Sequence, residues 1–316
     1  MLKKIAVIAL RISTSIALLI FLFRQVEGKE LLGIIKNADK ALLLLSFALT
    51  FFIYLLCFWR WKMLLNASGV NPPLLRLVSA FSGGIFFNMF LPSTIGGDFV
   101  RGADLAVHTK KTSEVVATVI LDRLSGFVGV VCVALAALFL GRELIRDRVV
   151  FLSVLTLALI LLFILLIIFN KSLFFFFNRL LSSSQAGKIR TSLGNIHKEI
   201  FYFHKHKKTV WKNIFLSVLI QAISPLGGYL IASAFGIKLN PVYFFVFLPI
   251  IGAVTLLPIS IGGLGLRDAM TVYFFAKAGI GRDLSFAMSL LGFFFLAVYA
   301  VAGGIIYVFA LRHRRI

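Results

Sequence analysis

The chain has 316 residues, of which 60% are hydrophobic and 14% are charged, and its formal net charge at pH 7 is +21. Soluble domains average about 45–50% apolar and about 25% charged residues, so this composition excludes an ordinary soluble protein. The positive charge does not indicate nucleic-acid binding, because most Lys and Arg residues lie in loops beside apolar segments, where they set membrane orientation and meet anionic headgroups. The two cysteines, Cys57 and Cys132, lie within apolar runs and do not indicate a disulfide framework.

Apolar segments long enough to cross a bilayer recur along the chain. We predict an all-α polytopic membrane protein that forms a single integral membrane domain over residues 1–316. In the first apolar run, Arg11 interrupts the stretch and no cleavage site of small residues follows, which predicts an uncleaved span rather than a signal peptide. The six predicted full spans are at about 5–23, 41–59, 115–140, 149–169, 211–234 and 284–311.

One unusual 14-residue motif, the repeated phrase, occurs twice in the sequence. LPSTIGGDFVRGAD begins at Leu91 and LPISIGGLGLRDAM begins at Leu257, with identical residues at seven of fourteen positions, where chance gives about one. Each phrase ends an apolar stretch, at about 75–97 and about 241–263, that Gly and Pro interrupt. Backbone that is broken at membrane depth persists only where protein buries it or where it lines a wet cavity. Both stretches are therefore predicted to be broken or re-entrant helices.

Three predicted full spans separate the two phrases. An odd number of crossings inverts the second copy relative to the first, which predicts an inverted repeat with halves at about 41–140 and about 211–311. In transporters built this way, the substrate site lies near the bilayer midplane, where the broken helices meet. We therefore expect the two phrases to form two walls of one site.

The charge of the loops predicts the orientation. A basic segment at about 170–209, which joins the two halves, has eight Lys and Arg residues against one acid, Glu199. The chain begins MLKK and ends LRHRRI, and Arg60 and Lys62 follow the second predicted span. By the positive-inside rule these regions face the cytoplasm. This predicts a multi-pass protein of the cell membrane with both termini in the cytoplasm.

The repeated phrases contain residues that favour a sharp turn. Pro92 lacks a backbone donor, and Gly96 and Gly97 allow φ values that are closed to other residues. A helix that starts after such a turn directs the positive end of its dipole at the break between the two helical segments. The equivalent residues of the second copy are Pro258, Gly262 and Gly263.

Ionisable residues in both phrases are candidates for substrate contact. Asp98 and Arg101 are three residues apart and share a helix face. In the second copy, Asp268 directly follows Arg267. Two interpretations stay open, a structural turn held by an Arg–Asp pair and a pair of arginines that bind an anion.

Two further ionisable residues, Asp122 and Arg123, lie about 10 Å into a predicted span by helical rise. Ionisable groups at this depth are costly and are functional candidates. The alternative is a mutually neutralising pair that fixes helix packing. Asp122 shares a helix face with Gly126 and Gly129, where small residues let another helix approach.

Other features are less specific. Gln221 and Pro225 either kink their span and line the cavity or serve packing alone. The histidines of FYFHKHKK and His197 do not have the spacing of a common metal site, so no metal and no cofactor is predicted. Since the sequence has no P-loop, nucleophile elbow or metalloprotease helix, no catalytic residue is assigned.

Three blocks in order, NMFLPSTIGGDFVR, ILDRLSGFVG and LPISIGGLGLRDA, resemble the signature blocks of the lysylphosphatidylglycerol synthase transmembrane region family. That family includes the membrane half of the multiple peptide resistance factor and stand-alone flippase-like proteins. The resemblance extends over nearly the whole chain and implies a lipid-translocation fold. The two-part enzymes carry a soluble aminoacyl-transfer domain after the membrane region, and this sequence ends at Ile316. A stand-alone member without that domain is therefore expected.

The signature positions and the charged residues beside them define a predicted site. The resemblance implies the signature residues Asn88, Pro92, Gly96, Gly97, Asp98, Arg101, Asp122, Arg123, Gly126, Gly262, Gly263 and Arg267. The predicted lipid cavity is formed by Asn88, Asp98, Arg101, Asp122, Arg123, Arg267 and Asp268.

Two classes of function remain. A flippase-like transporter of an anionic or phosphate-bearing lipid, such as a polyprenyl phosphate, explains the broken helices and the intramembrane arginines. The alternative is a membrane-embedded lipid-headgroup or glycosyl transferase, or an accessory subunit of one. Such chemistry needs a carboxylate base and usually a sizeable extramembrane region, whereas the predicted outer loops are short. A homo-oligomer and a lipid-biosynthesis enzyme partner are both compatible with the sequence.

The predicted orientation can be tested by cysteine labelling. In a variant whose Cys57 and Cys132 are replaced by serine, the cysteine introduced by Ser183→Cys should not react with a membrane-impermeant maleimide added to intact cells, because the positive-inside rule places it in the cytoplasm. It should react once the membrane is permeabilised. Labelling in intact cells would reverse the orientation.

Overall fold

The protein is built from α-helices, as described by a computed structural model. The residues that the structure describes are 28–91, 96–142, 147–170, 172–174, 176, 187–255, 260 and 262–312. No β-strand occurs in these residues. The α-helices within them are α1 (Gly28–Asn37), α2 (Lys40–Ala67), α3 (Leu74–Phe90), α4 (Gly96–Thr109), α5 (Thr112–Leu140), α6 (Arg148–Phe169), α7 (Gly187–Tyr202), α8 (Lys207–Ala234), α9 (Val242–Val254), α10 (Leu266–Ala276) and α11 (Arg282–Arg312).

Five of these helices, α2, α5, α6, α8 and α11, are long and apolar enough to cross a membrane. They correspond to five of the six predicted full spans, and the sixth, at about 5–23, lies outside the described residues. Between 11% and 33% of the most apolar window of each helix is buried within the protein. The remaining surface is apolar and suits contact with lipid. The predicted all-α polytopic membrane fold is confirmed.

Helix α2 is longer than the predicted span, which ended at about residue 59. The Asp39 carboxylate caps its start by accepting from the backbone N–H groups of Ala41 and Leu42 at 2.8 and 3.2 Å. The helix ends at Ala67, before Gly69 with φ 69°. Arg60 therefore lies inside the helix and is buried. The prediction that it follows the span was wrong, because its charge is neutralised within the protein.

The first of the two helical hairpins consists of α3 and α4. The two helices pack against each other. Lys111, which follows α4, donates from Nζ to the carbonyl oxygen of Gly69, which precedes α3, at 2.8 Å. Both ends of the hairpin therefore lie together, beside the N-terminal end of α5.

The second hairpin, formed by α9 and α10, lies at the other end of α5. Val242 begins α9 and lies against Gly141, which caps the C-terminus of α5. Lys277, which caps the C-terminus of α10, pairs with Asp147, which caps the start of α6 and follows the end of α5 in the chain. The two hairpins thus start and end at opposite ends of the same 29-residue helix.

Helices α2 and α8, each of 28 residues, pack antiparallel with matching contacts. The Ser46 hydroxyl donates to the carbonyl oxygen of Gly227 at 3.0 Å, and the Asn213 amide donates to the carbonyl oxygen of Arg60 at 3.3 Å. Ser46 and Asn213 are both the seventh residue of their helix, and Arg60 and Gly227 are both the twenty-first. The contact between the seventh residue of one helix and the twenty-first residue of the other therefore occurs twice. A local two-fold axis between the two helices would produce this arrangement.

The two breaks in the hairpins differ in backbone conformation. In the second break, Gly262, Gly263 and Gly265 have φ values of 58°, 77° and 78°, in the left-handed region that favours glycine. Gly96 and Gly97 begin α4 and are not among the described residues with positive φ. The φ freedom of glycine, which was expected to allow a sharp turn here, is therefore not used by this pair. Pro92 and Pro258 lie outside the described residues.

Gly97 is required by close packing rather than by its φ value. A Cβ at this position would overlap the carbonyl oxygen of Gly84 on α3 and would lie 2.6 Å from Cγ of Asn88. The absence of a side chain lets α4 begin directly against α3. This close approach holds the first hairpin together.

The variant Gly97→Ala tests this packing. Because the added methyl group meets backbone atoms that cannot rotate away, the melting temperature of the purified protein in detergent should fall, for a cost of about 1–3 kcal/mol or more. Gly252→Ala is the control, since an added Cβ there has no neighbour within 4 Å and alanine favours a helix. Equal melting temperatures for the two variants would contradict the packing.

Candidate functional site

A cavity of about 410 Å³ lies where α2, α3, α4, α5, α8 and α9 meet. Part of its lining is apolar and includes Phe81, Ile85, Phe127, Val130 and Leu248. The polar part consists of Tyr54, Cys57, Arg60, Asn88, Asp98, Arg101, Asp122, Arg123, Gln221 and Ser224. Five of the seven residues of the predicted lipid cavity are in this set.

Five charged side chains form a continuous chain of alternating ion pairs, which we name the charge ladder: Arg60, Asp122, Arg101, Asp98 and Arg123. The Asp122 carboxylate faces Arg60 Nε through Oδ1 and Arg101 Nη2 through Oδ2, both at 2.8 Å. The Asp98 carboxylate faces Arg101 Nε at 2.9 Å through Oδ1 and pairs with Arg123 Nε through Oδ2. Each carboxylate oxygen thus has its own guanidinium partner.

Burial differs along the charge ladder. The side chains of Arg60, Asp122, Arg101 and Asp98 are at most 8% exposed, whereas that of Arg123 is 33% exposed. Buried ions are tolerated when each is paired and hydrogen-bonded. With three arginines and two aspartates, the ladder has a formal net charge of +1. Its most accessible cation lies at one end, where it lines the cavity.

Aromatic and hydroxyl groups fix the two buried arginines. The Arg101 guanidinium lies over the Trp61 ring at 4.4 Å and near the Phe81 ring at 5.8 Å. Arg60 donates from Nη1 to the Ser217 hydroxyl on α8 at 3.1 Å. Trp61 is itself held by a hydrogen bond from Nε1 to the Thr118 hydroxyl at 3.3 Å. The guanidinium groups are therefore preorganised by their surroundings.

Asp122 and Arg123 do not pair with each other, contrary to one of the two interpretations of the sequence. The two residues are neighbours on α5, and successive helical side chains point about 100° apart. Asp122 meets Arg60 and Arg101, whereas Arg123 meets Asp98. A mutually neutralising Asp122–Arg123 pair was therefore the wrong interpretation. The expected contact between Asp98 and Arg101 on one helix face is confirmed.

Asn88 joins the cavity to the start of α4. Its side-chain oxygen accepts from the backbone N–H of Gly97 at 2.9 Å, which satisfies a first-turn amide of the helix. On α5, Gly129 admits α8, since a Cβ there would lie 2.6 Å from the carbonyl oxygen of Ser217. Gly126 lies beside the Arg60 guanidinium. The small residues on this face of α5 thus allow close helix approach, as predicted.

Arg267 and Asp268 form a separate polar cluster. Asp268 is fully buried and accepts from the Gly265 N–H at 2.9 Å and from the Ser289 hydroxyl. Arg267 donates to Asp268 at 3.0 Å and to Ser289 at 3.2 Å, and it stacks on Phe293. This cluster caps the start of α10 and ties it to α11.

The expectation that Arg101 and Arg267 face one cavity is not met, because Arg267 and Asp268 are not among the described residues that line it. Arg267 instead pairs with Asp268, which caps the start of the same helix, α10. The two breaks do touch through their backbones. A Cβ on Gly262 would lie 2.7 Å from the carbonyl oxygen of Met89 at the end of α3.

Arg60 is the functional candidate that sequence reasoning missed. It stands within the uninterrupted apolar and aromatic run FFIYLLCFWRWKMLL, which has no turn residue on either side. That continuity could have placed it inside the helix. For Gln221 and Pro225, both interpretations had stayed open, and both residues line the cavity.

The sequence of almost the whole chain matches one family. Residues 6–315 match the model of the Lysylphosphatidylglycerol synthase TM region. The chain belongs to this family. Two relatives from Methanothermobacter thermautotrophicus, each named UPF0104 membrane protein, are 27% and 23% identical over 298 residues. The matches cover 87% and 86% of this chain, and 85% and 87% of those two proteins. The family resemblance of the signature blocks is thus confirmed.

A double-mutant cycle tests the charge ladder. Asp122→Asn leaves Arg60 and Arg101 without the carboxylate that joins them, so the stability of the protein in detergent should fall by about 3–5 kcal/mol. The double variant Arg60→Gln/Asp122→Asn should be less destabilised than the sum of the single variants by about 1–3 kcal/mol. Thermal unfolding gives both values.

The matched comparison is Asp122→Asn/Arg123→Gln. It should show no such relief, because Arg60 stays without its carboxylate. Relief of the same size in this pair would contradict the partner assignment.

Proposed function

We propose that this member of the Lysylphosphatidylglycerol synthase TM region family is a flippase-like transporter of an anionic, phosphate-bearing membrane lipid. The observation that carries the proposal is the charge ladder, a buried network of net formal charge +1 whose cationic end lines a cavity between apolar helices. The family description names a lipid synthase region of the membrane, which supports a lipid as the substrate.

The lipid phosphate is proposed to bind at the Arg123 end of the ladder. Guanidinium groups match phosphate oxygens with forked donors, and a water-poor site strengthens the attraction. A cavity of about 410 Å³ lies in the range of small-molecule sites. It accommodates a headgroup, whereas the acyl or prenyl chains remain in the surrounding lipid.

The helix arrangement supports transport through an inverted repeat. The antiparallel α2–α8 pair repeats the same two contacts, and the two hairpins begin and end at opposite ends of α5. In this proposal each hairpin is a re-entrant segment that enters from one face of the membrane. Alternating movement of the two halves would expose the headgroup cavity to either leaflet. The protein would lie in the cell membrane with both termini in the cytoplasm.

The alternative, a membrane-embedded lipid-headgroup or glycosyl transferase, has less support. A transferase of this kind needs a carboxylate that can accept a proton from the substrate. The carboxylates among the described cavity residues are Asp98 and Asp122, and arginines engage both oxygens of each. Transport therefore fits the cavity better than catalysis does.

Arg123→Gln tests the proposal. In vesicles reconstituted with the purified protein, exchange of an acyl-labelled anionic phospholipid between leaflets should fall at least about tenfold, equivalent to about 1.4 kcal/mol. Folding should change little, since Asp98 keeps its pairing with Arg101. Arg142→Gln is the matched control, because Arg142 is exposed and does not line the cavity. Unchanged exchange in Arg123→Gln, or product formation without exchange, would refute transport at this site.

A further inference from the structure

One face of α2 presents a continuous row of aromatic side chains to α3 and α11. Its members lie four, three, four and three residues apart, which places them on one helix face at the spacing of a helix–helix contact. Each ring of the row contacts an aromatic ring of α3 or α11. We name this row the aromatic stripe: Phe47, Phe51, Tyr54, Phe58 and Trp61.

The N-terminal part of the stripe packs around one residue of α11, Tyr299. The Tyr299 ring stacks on Phe47 and Phe51, with ring centroids 4.6 and 6.0 Å apart. It also lies 5.6 Å from the ring of Tyr54. Phe51 is 52% exposed on the apolar outer surface, whereas Tyr54 lines the cavity. These rings therefore connect the lipid-facing surface to the cavity by direct contact.

The C-terminal part of the stripe is held by ions. Phe58 and Trp61 pack on Phe81 of α3, with ring centroids 5.5 and 6.4 Å apart. Beside them on α2, Arg60 pairs with Asp122 of the charge ladder at 2.8 Å. Separation of a buried ion pair is strongly disfavoured, because it leaves an uncompensated charge. This end of the contact between α2 and α3 is therefore fixed.

The N-terminal part of the stripe is joined to α11 by weaker interactions. The Tyr299 hydroxyl donates to the carbonyl oxygen of Phe47 at 2.8 Å, beside the ring stacking. A neutral hydrogen bond and aromatic stacking stabilise a contact less than a buried ion pair resists its separation. The two helices can therefore separate more readily at this end than at the charge ladder.

Helices α3 and α11 pack closely against each other. A Cβ on Gly83 of α3 would lie 2.6 Å from the Tyr307 ring, and a Cβ on Gly304 of α11 would lie 2.5 Å from the Phe86 ring. Each helix thus presents a glycine to an aromatic ring of the other, and such close packing stabilises helix pairs in lipid. An opening on this side of the cavity must therefore form between α2 and the α3–α11 pair.

We propose that Tyr299 and the N-terminal part of the aromatic stripe form a lateral gate, an opening from the cavity to the hydrocarbon core of the bilayer. Separation of α2 from α11 at this end opens the gate, while the charge ladder keeps the other end closed. The inference goes beyond the proposed function, since it concerns access to the cavity from within the membrane. It does not depend on which molecule the cavity binds.

The thiol of Cys57 reports on the gate, because it lines the cavity about one helical turn after Tyr54. N-phenylmaleimide, which dissolves in the bilayer, is added to proteoliposomes of a Cys132→Ser parent protein. Tyr299→Ala should raise the rate of Cys57 labelling at least about tenfold, equivalent to about 1.4 kcal/mol. Phe51→Ala should also accelerate labelling, and it should perturb folding little because that ring is half exposed. Unchanged rates in both variants would exclude the gate.

Two controls separate opening of the gate from general loosening of the fold. Phe309→Ala removes an aromatic ring from an exposed position on the same helix, so it should leave the labelling rate unchanged. A charged maleimide, which stays in water, should react with Cys57 equally fast in the parent protein and in Tyr299→Ala. Equal acceleration of both reagents by Tyr299→Ala would overturn the inference, as would acceleration by Phe309→Ala.

Covalent closure of the gate distinguishes this inference from the proposed function. In a protein without Cys57 and Cys132, the variants Phe51→Cys and Tyr299→Cys are combined. A bifunctional thiosulfonate reagent can join the two positions, since the native rings are 6.0 Å apart. Lipid exchange between leaflets should be lost on joining and should return when a reductant releases the linker.

The outcomes of this experiment separate the two proposals. Exchange that continues in the joined protein would exclude the gate and leave transport supported. Absence of exchange in the wild-type protein would refute transport, whereas faster labelling of Cys57 in Tyr299→Ala would still support the gate.

Discussion

The position of Asp122 between two arginines is the interaction on which the rest of the site depends. Its carboxylate joins Arg60 of α2 and Arg101 of α4 to α5. These three side chains are at most 8% exposed, so each ion must find a partner in the protein. The three helices can satisfy that requirement in few relative positions. The charge ladder therefore sets how the first hairpin is placed against α2 and α5, and hence the shape of the cavity.

The two halves of the chain share an order of helices but differ in charge. In the ungapped alignment of the repeated phrases, the positions of Asp98, Asp122 and Arg123 correspond to Leu264, Met288 and Ser289. The second half keeps Arg267, which it neutralises locally with Asp268. It contributes to the cavity uncharged residues of α8 and α9, among them Gln221, Ser224 and Leu248. A cavity with one charged wall and one uncharged wall buries fewer ions than a cavity with two charged walls would. Its charge is also confined to one side.

Periodicity and composition were sufficient for much of the fold. Five spans were predicted, four of them to within several residues and α2 too short at its C-terminal end, since a long apolar segment in lipid satisfies its backbone only as a helix. The breaks after α3 and α9 were predicted from Gly and Pro in the repeated phrase, and in the second break Gly262, Gly263 and Gly265 have the positive φ values that only glycine adopts readily. Asn88, Asp98, Arg101, Asp122 and Arg123 were predicted for the cavity and line it. Charge at membrane depth marks the four ionisable residues among them without knowledge of their partners, whereas Asn88 was implied by the family resemblance.

The sequence by itself determined which segments are helical, where they break and which ionisable residues lie between them. Only the tertiary structure decided the partners. Arg60 was assigned to a loop because a charge beside an apolar run normally marks its end, and only the position of Asp122, 62 residues later in the chain, shows why it stays buried. Arg267 was grouped with Arg101 by its position in the repeat, yet the capping contact of Asp268 keeps it apart. Ion pairing acts over a few ångströms between distant parts of the chain, so it depends on packing that no local pattern contains.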